Sequence, residues 1–499
     1  MTVLYLLLIA LIYFLIILLL RWQKQQPFPG PKGWPVLGVL LELDLIRLHF
    51  TFDKWKTLYG DVFQFMCLGR KFVCVNSSDI MRDLLLREPN ATKMAGRPDF
   101  FVEKYFYMHK NDVVFSSPDR QWTKRRKLLY KMLNAYGEGL VRIEHLIKDN
   151  LLAMKEEIDT LKGQSIDPSD LVERFILETI EVLLIGKSSG RHGELKQIIR
   201  DLDFCVNESH NMGPDMMYNT FPFLRFLPLQ HTRKLEDLRK AKNRMMDMLE
   251  KISNDHPENT GVYQSLKKVL QERDTSGQRW FNEVNLWSLI VNIVAAAYLT
   301  SRGTLLSLIQ ILAKRPDLQR SIQREIDNVI DVARKPDLHL QDRQQCHLLE
   351  AVILETLRYI PVAPISFHYT LDDTEVNGVF VEKDTTVVCN IWTALHNEKE
   401  WKNPFTFKPE RFLQEDGSLL PSTDPARKRM VAFGLGKRSC IGEVFAKSRM
   451  FLFVATLLQS FSILEQEDET LPDLLPEKMA PGIVLQPDPY KIRFVSRKG

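Results

Sequence analysis

Phe433-Gly434-Leu435-Gly436-Lys437-Arg438-Ser439-Cys440-Ile441-Gly442 places one cysteine among three glycines, with an arginine two positions before it. Gly434 and Gly436 permit backbone conformations and close approaches that a Cβ would block, so such a segment can hold a single sulfur in a fixed direction. Glu443 to Leu458 then carries apolar residues at the 3.6-residue spacing of a helix. A cysteine just before a helix N-terminus feels the positive end of the helix dipole, which favours thiolate over thiol and suits an iron ligand. A buried structural cysteine beside a turn would explain the residue as well if it stood alone, so the rest of the chain decides.

The 499 residues are 45% hydrophobic, ample for a large core. A formal net charge of +4 is small for this length and gives no reason to expect a nucleic-acid partner. Cys67, Cys74, Cys205, Cys346, Cys389 and Cys440 are scattered without a C-x-x-C pair, which argues against a zinc site or a disulfide framework and for a reducing compartment. Met1 to Leu20 contains no charge and is dominated by Leu, Ile and Tyr, and about 20 apolar residues span a bilayer as a helix. No basic segment precedes the run and no small-x-small cleavage site follows it, so an anchor is expected rather than a cleaved signal. Arg21, Trp22 and Lys24 fit an interfacial tryptophan and a cytosolic positive flank. Residues 1–21 are therefore expected to be a single-pass transmembrane signal anchor. Residues 22–38, with Pro27, Pro29, Pro31 and Pro35, are expected to be a stiff linker, and 39–499 the body.

In the body, helical spacing dominates, as in Ser78–Arg87, Asp119–Leu133, Gly139–Leu161, Ser169–Ile185, Thr232–Ile252 and Trp280–Lys314. Strand-like stretches are short: Val62–Cys67, Phe72–Asn76, Val376–Val381 and Thr385–Asn390. The expected fold is mainly α with a small β subdomain, without an internal domain boundary. Trp122 and Arg126 are four apart on one helix face and could together meet a buried anion, although an amphipathic helix with a basic solvent face is the simpler account. Phe204 to Pro228 is too broken by Pro and Gly for one helix and reads as an apolar lid or as ordinary core under a long loop. The longest apolar-periodic run, Trp280–Lys314, has Ala295, Ala296, Ala297, Thr300 and Ser301 at its centre. Small residues there would admit a flat ligand, and a threonine hydroxyl can relay a proton or bond the preceding turn. Glu355 and Arg358 share a helix face, and Arg411 could complete a buried cluster with them.

These pieces, in this order, resemble the cytochrome P-450 monooxygenases over essentially the whole chain. Phe433 to Gly442 fits the haem-binding signature Phe-Gly-x-Gly-x-Arg-x-Cys-x-Gly at every fixed position, Glu355 and Arg358 fit the E-x-x-R pair, Pro409-Glu410-Arg411-Phe412 fits P-E-R-F, and Trp122 with Arg126 fits W-x-x-x-R. The anchor and proline hinge are similar to those of microsomal members, and the sequence around Cys440 and from Leu395 to Phe412 is most similar to the branch of steroid 17α-hydroxylases and arene-oxidising enzymes. The resemblance implies a cytochrome P-450 fold with an N-terminal transmembrane helix, haem b as cofactor and Cys440 as the thiolate ligand of its iron, the ligation that favours O–O cleavage in this class. It further implies Arg438, Trp122, Arg126 and His368 as propionate contacts, Phe433 packed beside the sulfur, and Thr300 as the catalytic residue of the central helix.

One departure stands out. The acid that usually precedes the threonine of the central helix is Leu299 here, and Ala297 replaces a glycine. A leucine cannot help deliver protons. Either water and Thr300 suffice, or oxygen activation is slow or uncoupled, or the substrate brings its own hydroxyl or peroxide. The expected function is insertion of one atom of O₂ into a lipophilic substrate, a sterol, lipid or polycyclic compound, on the cytosolic face of the endoplasmic reticulum membrane. NADPH-derived electrons would come through a flavoprotein reductase, with cytochrome b5 as a further candidate partner. Lys124, Arg125, Lys127, Lys437, Lys447 and Arg449 are candidates for docking that acidic partner. The alternatives are a reductase-independent haem-thiolate isomerase or dehydratase of lipid peroxides, and a non-catalytic haem- or sterol-binding membrane protein. The resemblance implies a distal pocket lined by Phe100 to Phe115, Phe204 to Pro228, Asn292 to Thr300 and Val362 to Phe367, with Asn292 able to orient a ligand oxygen.

Overall fold

A computed structural model describes residues 28–497 apart from 36, 100, 102–110, 135–139, 187–191, 210–211, 259, 274–276, 278, 334–335 and 469. The expected anchor, the first part of the linker and most of the Phe100–Phe115 loop lie outside the described residues. From Phe28 onward the proline-rich stretch is docked rather than free. Phe28 is buried, Pro29 O accepts from Gln64 N at 2.9 Å, and Val39 N donates to Met66 O at 2.9 Å. Gly30 lies so close to the strand beneath that a Cβ would meet Gln64 O at 1.8 Å.

That strand, Val62–Cys67, opens a four-stranded sheet. It turns through Leu68 and Gly69, both at positive φ, into Arg70–Val75, which pairs parallel with Thr386–Asn390, itself antiparallel to Ile365–Tyr369. The alternating residues Phe63, Phe65 and Phe72 pack on one face against Phe52 and Trp55 of the helix Leu48–Tyr59, with Phe65 and Phe72 stacked at 4.9 Å. The expected strand Val376–Val381 is instead two strands, Thr374–Val376 and Val379–Val381, because Asn377 and Gly378 take φ of 50° and 78° and make a two-residue hairpin turn.

The remainder is helical, as the periodicity predicts. Ser169–Ile185 forms over the expected residues, and the other helices shift at their ends by a few residues. The segment from Phe204 to Pro228 comprises the end of the helix His192–Ser209, the helix Met212–Thr220 and a 3₁₀ turn at Pro222–Phe226.

The longest helix, Glu283–Ala313, starts at a reciprocal cap between Asn282 and Asn285 and gives way at Lys314 before the Pro316 of the next helix. At 31 residues it is about 46 Å long. Its composition would suit a membrane span, yet it is a core helix, buried from Asn285 to Val294 apart from Trp287, and again from Gly303 to Ala313. Between those halves burial fails. Ala296 is exposed, and Ala295, Ala297 and Leu299 to Arg302 are half-buried.

A buried ion cluster joins the helix His347–Tyr359 to the loops that follow it. Arg358 grips both oxygens of Glu355 at 2.8 Å and donates to the carbonyls of Leu395 at 2.9 Å and Pro404 at 2.8 Å. Glu355 also accepts from Lys408 N at 2.8 Å and Arg411 Nε at 3.3 Å, and Glu355 and Arg358 have no exposed surface. Removing one partner strands the other charge and unsatisfies two carbonyls. Arg358→Ala is therefore expected to cost about 3–5 kcal/mol of stability in denaturant titration and to yield protein without bound cofactor.

Burial also pushes the imidazoles of His49 and His231 down to about 4 and those of His368 and His396 down to about 3. A base whose pKa is depressed by folding stays neutral in the fold, while its unfolded form takes up a proton below about 6.5. The stability these groups contribute is complete above that pH and is lost as pH falls. Between pH 6 and 4 the unfolding free energy is expected to fall by up to about 1.4 kcal/mol per pH unit for each histidine, and His49→Gln with His396→Gln should flatten that slope in urea titrations across pH.

Candidate active site

The cysteine loop closes on itself. Cys440 N donates to Phe433 O at 2.8 Å, Ser439 N to Gly436 O at 3.1 Å, and Gly434 N to Val431 O at 2.8 Å. Gly434 and Gly436 sit at φ of 67° and 62°, and a Cβ on Gly436 would meet Leu85 O at 2.0 Å, so the second glycine is demanded by a neighbouring chain segment as well as by its own backbone. The helix Glu443–Ser460 begins directly after Gly442.

Cys440 is exposed, yet enough protein surrounds it that burial is the largest influence on its thiol. This combination belongs to the wall of a concave space. Burial raises the thiol pKa, the Gly442 N–H lowers it, Glu443 raises it, and Arg126 and Lys447 lower it. The helix terminus does favour thiolate, through the Gly442 N–H, but without a metal burial outweighs it. A bound metal ion would reverse that, because a coordinating thiol is deprotonated outright.

A cationic cluster lies beside the loop. Arg126 donates to Ser439 O at 2.6 Å, and its charge and that of Cys440 favour each other. Arg438 is buried over the Trp122 ring at 4.4 Å, with Nε on Ala95 O at 2.6 Å and Nη1 on Val113 O at 3.2 Å. The Trp122 N–H, expected to face an anion, is bound to Val113 O at 3.0 Å. His368 is fully enclosed, with Nδ1 3.0 Å from Met94 O. Phe433 is half-buried beneath the Lys447 ammonium, which lies 5.2 Å from its ring centre.

Sequence reasoning missed Arg97. It donates through Nε to Val114 O at 2.9 Å and through Nη1 to Phe367 O, and its charge helps lower the His368 pKa. It sits in a coil where no periodicity marks it; only the arrival of the Ile365–Tyr369 strand gives it a place. Two of the expected docking residues are corrected in the other direction. Arg125 and Arg449 are buried, 6% and 3% exposed, and cannot meet a partner protein.

On the central helix, Thr300 donates its hydroxyl to Ala296 O at 2.7 Å and Ser301 to Ala297 O at 2.6 Å. Among the described residues no carboxylate hydrogen-bonds to Leu299, Thr300 or Ser301. Ser301 instead meets the guanidinium of Arg449. Asn292 is buried, accepts from Val113 N at 3.0 Å and has no partner for its Nδ2 among the described residues. Arg449 has no ion-pair partner among the described residues, its Nη1 is unbonded, and burial pushes its pKa down to about 10. Below that pH the desolvation cost is fully present. Arg449→Met is expected to raise stability by about 1–4 kcal/mol, measured by thermal unfolding near pH 7.5.

A flat group bearing iron and two carboxylates fits these residues: an accessible sulfur in a concave wall, a glycine-cleared loop, arginines beside it, and small residues where the central helix loses its burial. Cys440 would hold the iron. Arg126, with one hydrogen bond among the described residues, has donors left for a carboxylate, whereas Arg438 and Trp122 would share donors with the carbonyls they already bind.

The family model for cytochrome P-450 matches residues 28–494. The steroid 17-alpha-hydroxylase/17,20 lyase of Sus scrofa is 28% identical over 98% of this chain and 97% of its own length. Cytochrome P-450 1A2 of Mesocricetus auratus is 31% identical over 86% of this chain and 85% of its own. A zebra fish cytochrome P-450 structure with progesterone superposes with a TM-score of 0.76 at 26% identity, covering 90% of this chain and 99% of that one. With the cysteine loop, the buried Glu355–Arg358 pair and a match over nearly its whole length, this chain belongs to the cytochrome P-450 family of haem b monooxygenases.

Proposed function

We propose that this protein oxidises a steroid or similarly rigid lipid at the endoplasmic reticulum membrane. Residues 1–21 would anchor it, its body would lie in the cytosol, and its electrons would come from NADPH through a flavoprotein reductase, with cytochrome b5 as an additional donor. The observation that carries the reading is the pairing of an accessible Cys440 with a central helix that loses its burial from Ala295 to Arg302 apart from Tyr298, in a chain similar to steroid hydroxylases.

Haem bound at Cys440 supplies the redox chemistry that activates O₂ and transfers one oxygen atom to carbon. The chain's own residues set the conditions. The Gly442 N–H and the charges of Arg126 and Lys447 temper the sulfur's electron density. Arg126 would hold the haem carboxylates, with Arg438, Arg97, Trp122 and His368 sharing donors they already give to backbone carbonyls. Thr300, whose hydroxyl rests on Ala296 O, is the group able to turn and present a proton or hold a water. Leu299, packed against the core, offers no acid beside it. Asn292, whose amide nitrogen has no partner among the described residues, can orient a ligand oxygen.

The lack of any carboxylate contact at Leu299 to Ser301 among the described residues favours one second reading, a reductase-independent isomerase or dehydratase of lipid peroxides. Reconstitution separates the two. With NADPH, reductase and progesterone under ¹⁸O₂, product carrying one labelled oxygen is expected, together with a red-shifted band in the carbon monoxide difference spectrum that Cys440→Ser abolishes. Turnover of a lipid hydroperoxide with none under NADPH would establish the second reading.

A further inference from the structure

The central helix is held from outside at the residue where its acid is missing. Gln486 Nε2 donates to Leu299 O at 3.0 Å. Gln486 Oε1 accepts from Arg302 Nη1 at 2.9 Å, and Arg302 Nε donates to Glu173 Oε1 at 2.9 Å. Glu173 is gripped in turn by Arg200 at 2.9 Å. The loop carrying Gln486 is itself fixed, since Leu485 N donates to Val362 O at 2.8 Å and Ala480 N to Gln486 O at 2.7 Å. It approaches the helix at Gly303, where a Cβ would meet Leu485 O at 2.6 Å and Gln486 Nε2 at 2.9 Å. Here the glycine makes room for the brace.

We propose that Gln486, steadied by Arg302 and Glu173, is a positioning residue for Thr300; the inference rests on the role given to Thr300 above. The Leu299 carbonyl and the Thr300 N–H belong to one planar peptide unit, so a donor that fixes the carbonyl also fixes the plane from which the Thr300 side chain springs. The helix needs such help at this point. Burial is lost from Ala295 to Arg302, apart from Tyr298. The hydroxyls of Thr300, Ser301 and Thr304 all bond back to the preceding turn, a pattern that bends helices. Leucine at 299 offers no polar group to neighbouring elements, and the brace reaches the backbone of the same residue instead.

Two variants separate positioning from packing. Gln486→Leu removes both hydrogen bonds. Gln486→Glu keeps an acceptor for Arg302 but, as a carboxylate, has no proton to give Leu299 O. In the haem-loaded, full-length protein, amide hydrogen exchange across residues 296–304 is expected to be about two- to tenfold faster in both variants, the range of one net hydrogen bond. Peroxide released per NADPH oxidised, with reductase and progesterone as the probe, is expected to rise by a similar factor in both. Wild-type exchange or wild-type coupling in Gln486→Glu overturns the proposal. Thr300→Ala in the same assay separates the two roles: unchanged coupling there removes the role of Thr300, whereas uncoupling there but not in Gln486→Glu removes the brace alone.

Discussion

An arginine and a glutamate with no exposed surface tie the helix His347–Tyr359 to the long stretch that follows it. Two charges taken out of water cost several kcal/mol each, and the Glu355–Arg358 pair offsets that only because the remaining donors and acceptors are also met. Arg358 satisfies carbonyls at Leu395 and Pro404, and Glu355 accepts from the Lys408 amide and Arg411. One helix thereby fixes four points in a long stretch that has little regular structure of its own. That stretch leads directly into the cysteine loop, so the direction of the sulfur depends on charges that never touch it.

The two walls of the site differ in kind. The cysteine loop is over-determined: three backbone hydrogen bonds, two left-handed glycines and the approach of Leu85 leave it little freedom. The central helix is continuous but loses its burial from Ala295 to Arg302 apart from Tyr298, and polar groups from other elements reach it there. Arg449 reaches Ser301 from the cysteine helix, while Gln486 reaches Leu299 from the C-terminal loop. A rigid ligand platform opposite a braced, softer helix suits a reaction in which the metal must stay fixed while protons and substrate come and go.

Much of this was legible in the residues. Period-3.6 patterns located the long helices because an amphipathic face is a local property, and Ser169–Ile185 matches at both ends. The cysteine, the E-x-x-R pair and its Arg411 partner were legible because each is a short motif with its own chemistry. The hairpin at Asn377-Gly378 was signalled by its turn residues but hidden inside an apolar run. The partners of Trp122, Arg97 and Arg438 were not legible, since they are carbonyls of coil segments and of the Ile365–Tyr369 strand that come together only in the fold. Arg449 shows the limit of composition most clearly. Spacing put it on the correct helix, but its burial depends on a second helix nearly 150 positions away, and no local signal carries that.

The parallel pairing of Arg70–Val75 with Thr386–Asn390 has a consequence for biogenesis. The first strand leaves the ribosome roughly 300 residues before its neighbour, on the order of 15–60 s at ordinary synthesis rates. Throughout that interval Phe72, Val73, Cys74 and Val75, all buried in the finished sheet, have only the preceding hairpin strand to pair with. One edge of an apolar ribbon therefore stays open while most of the helical body is being made, which exposes the nascent chain to mispairing and makes its yield sensitive to whatever shields that edge during translation.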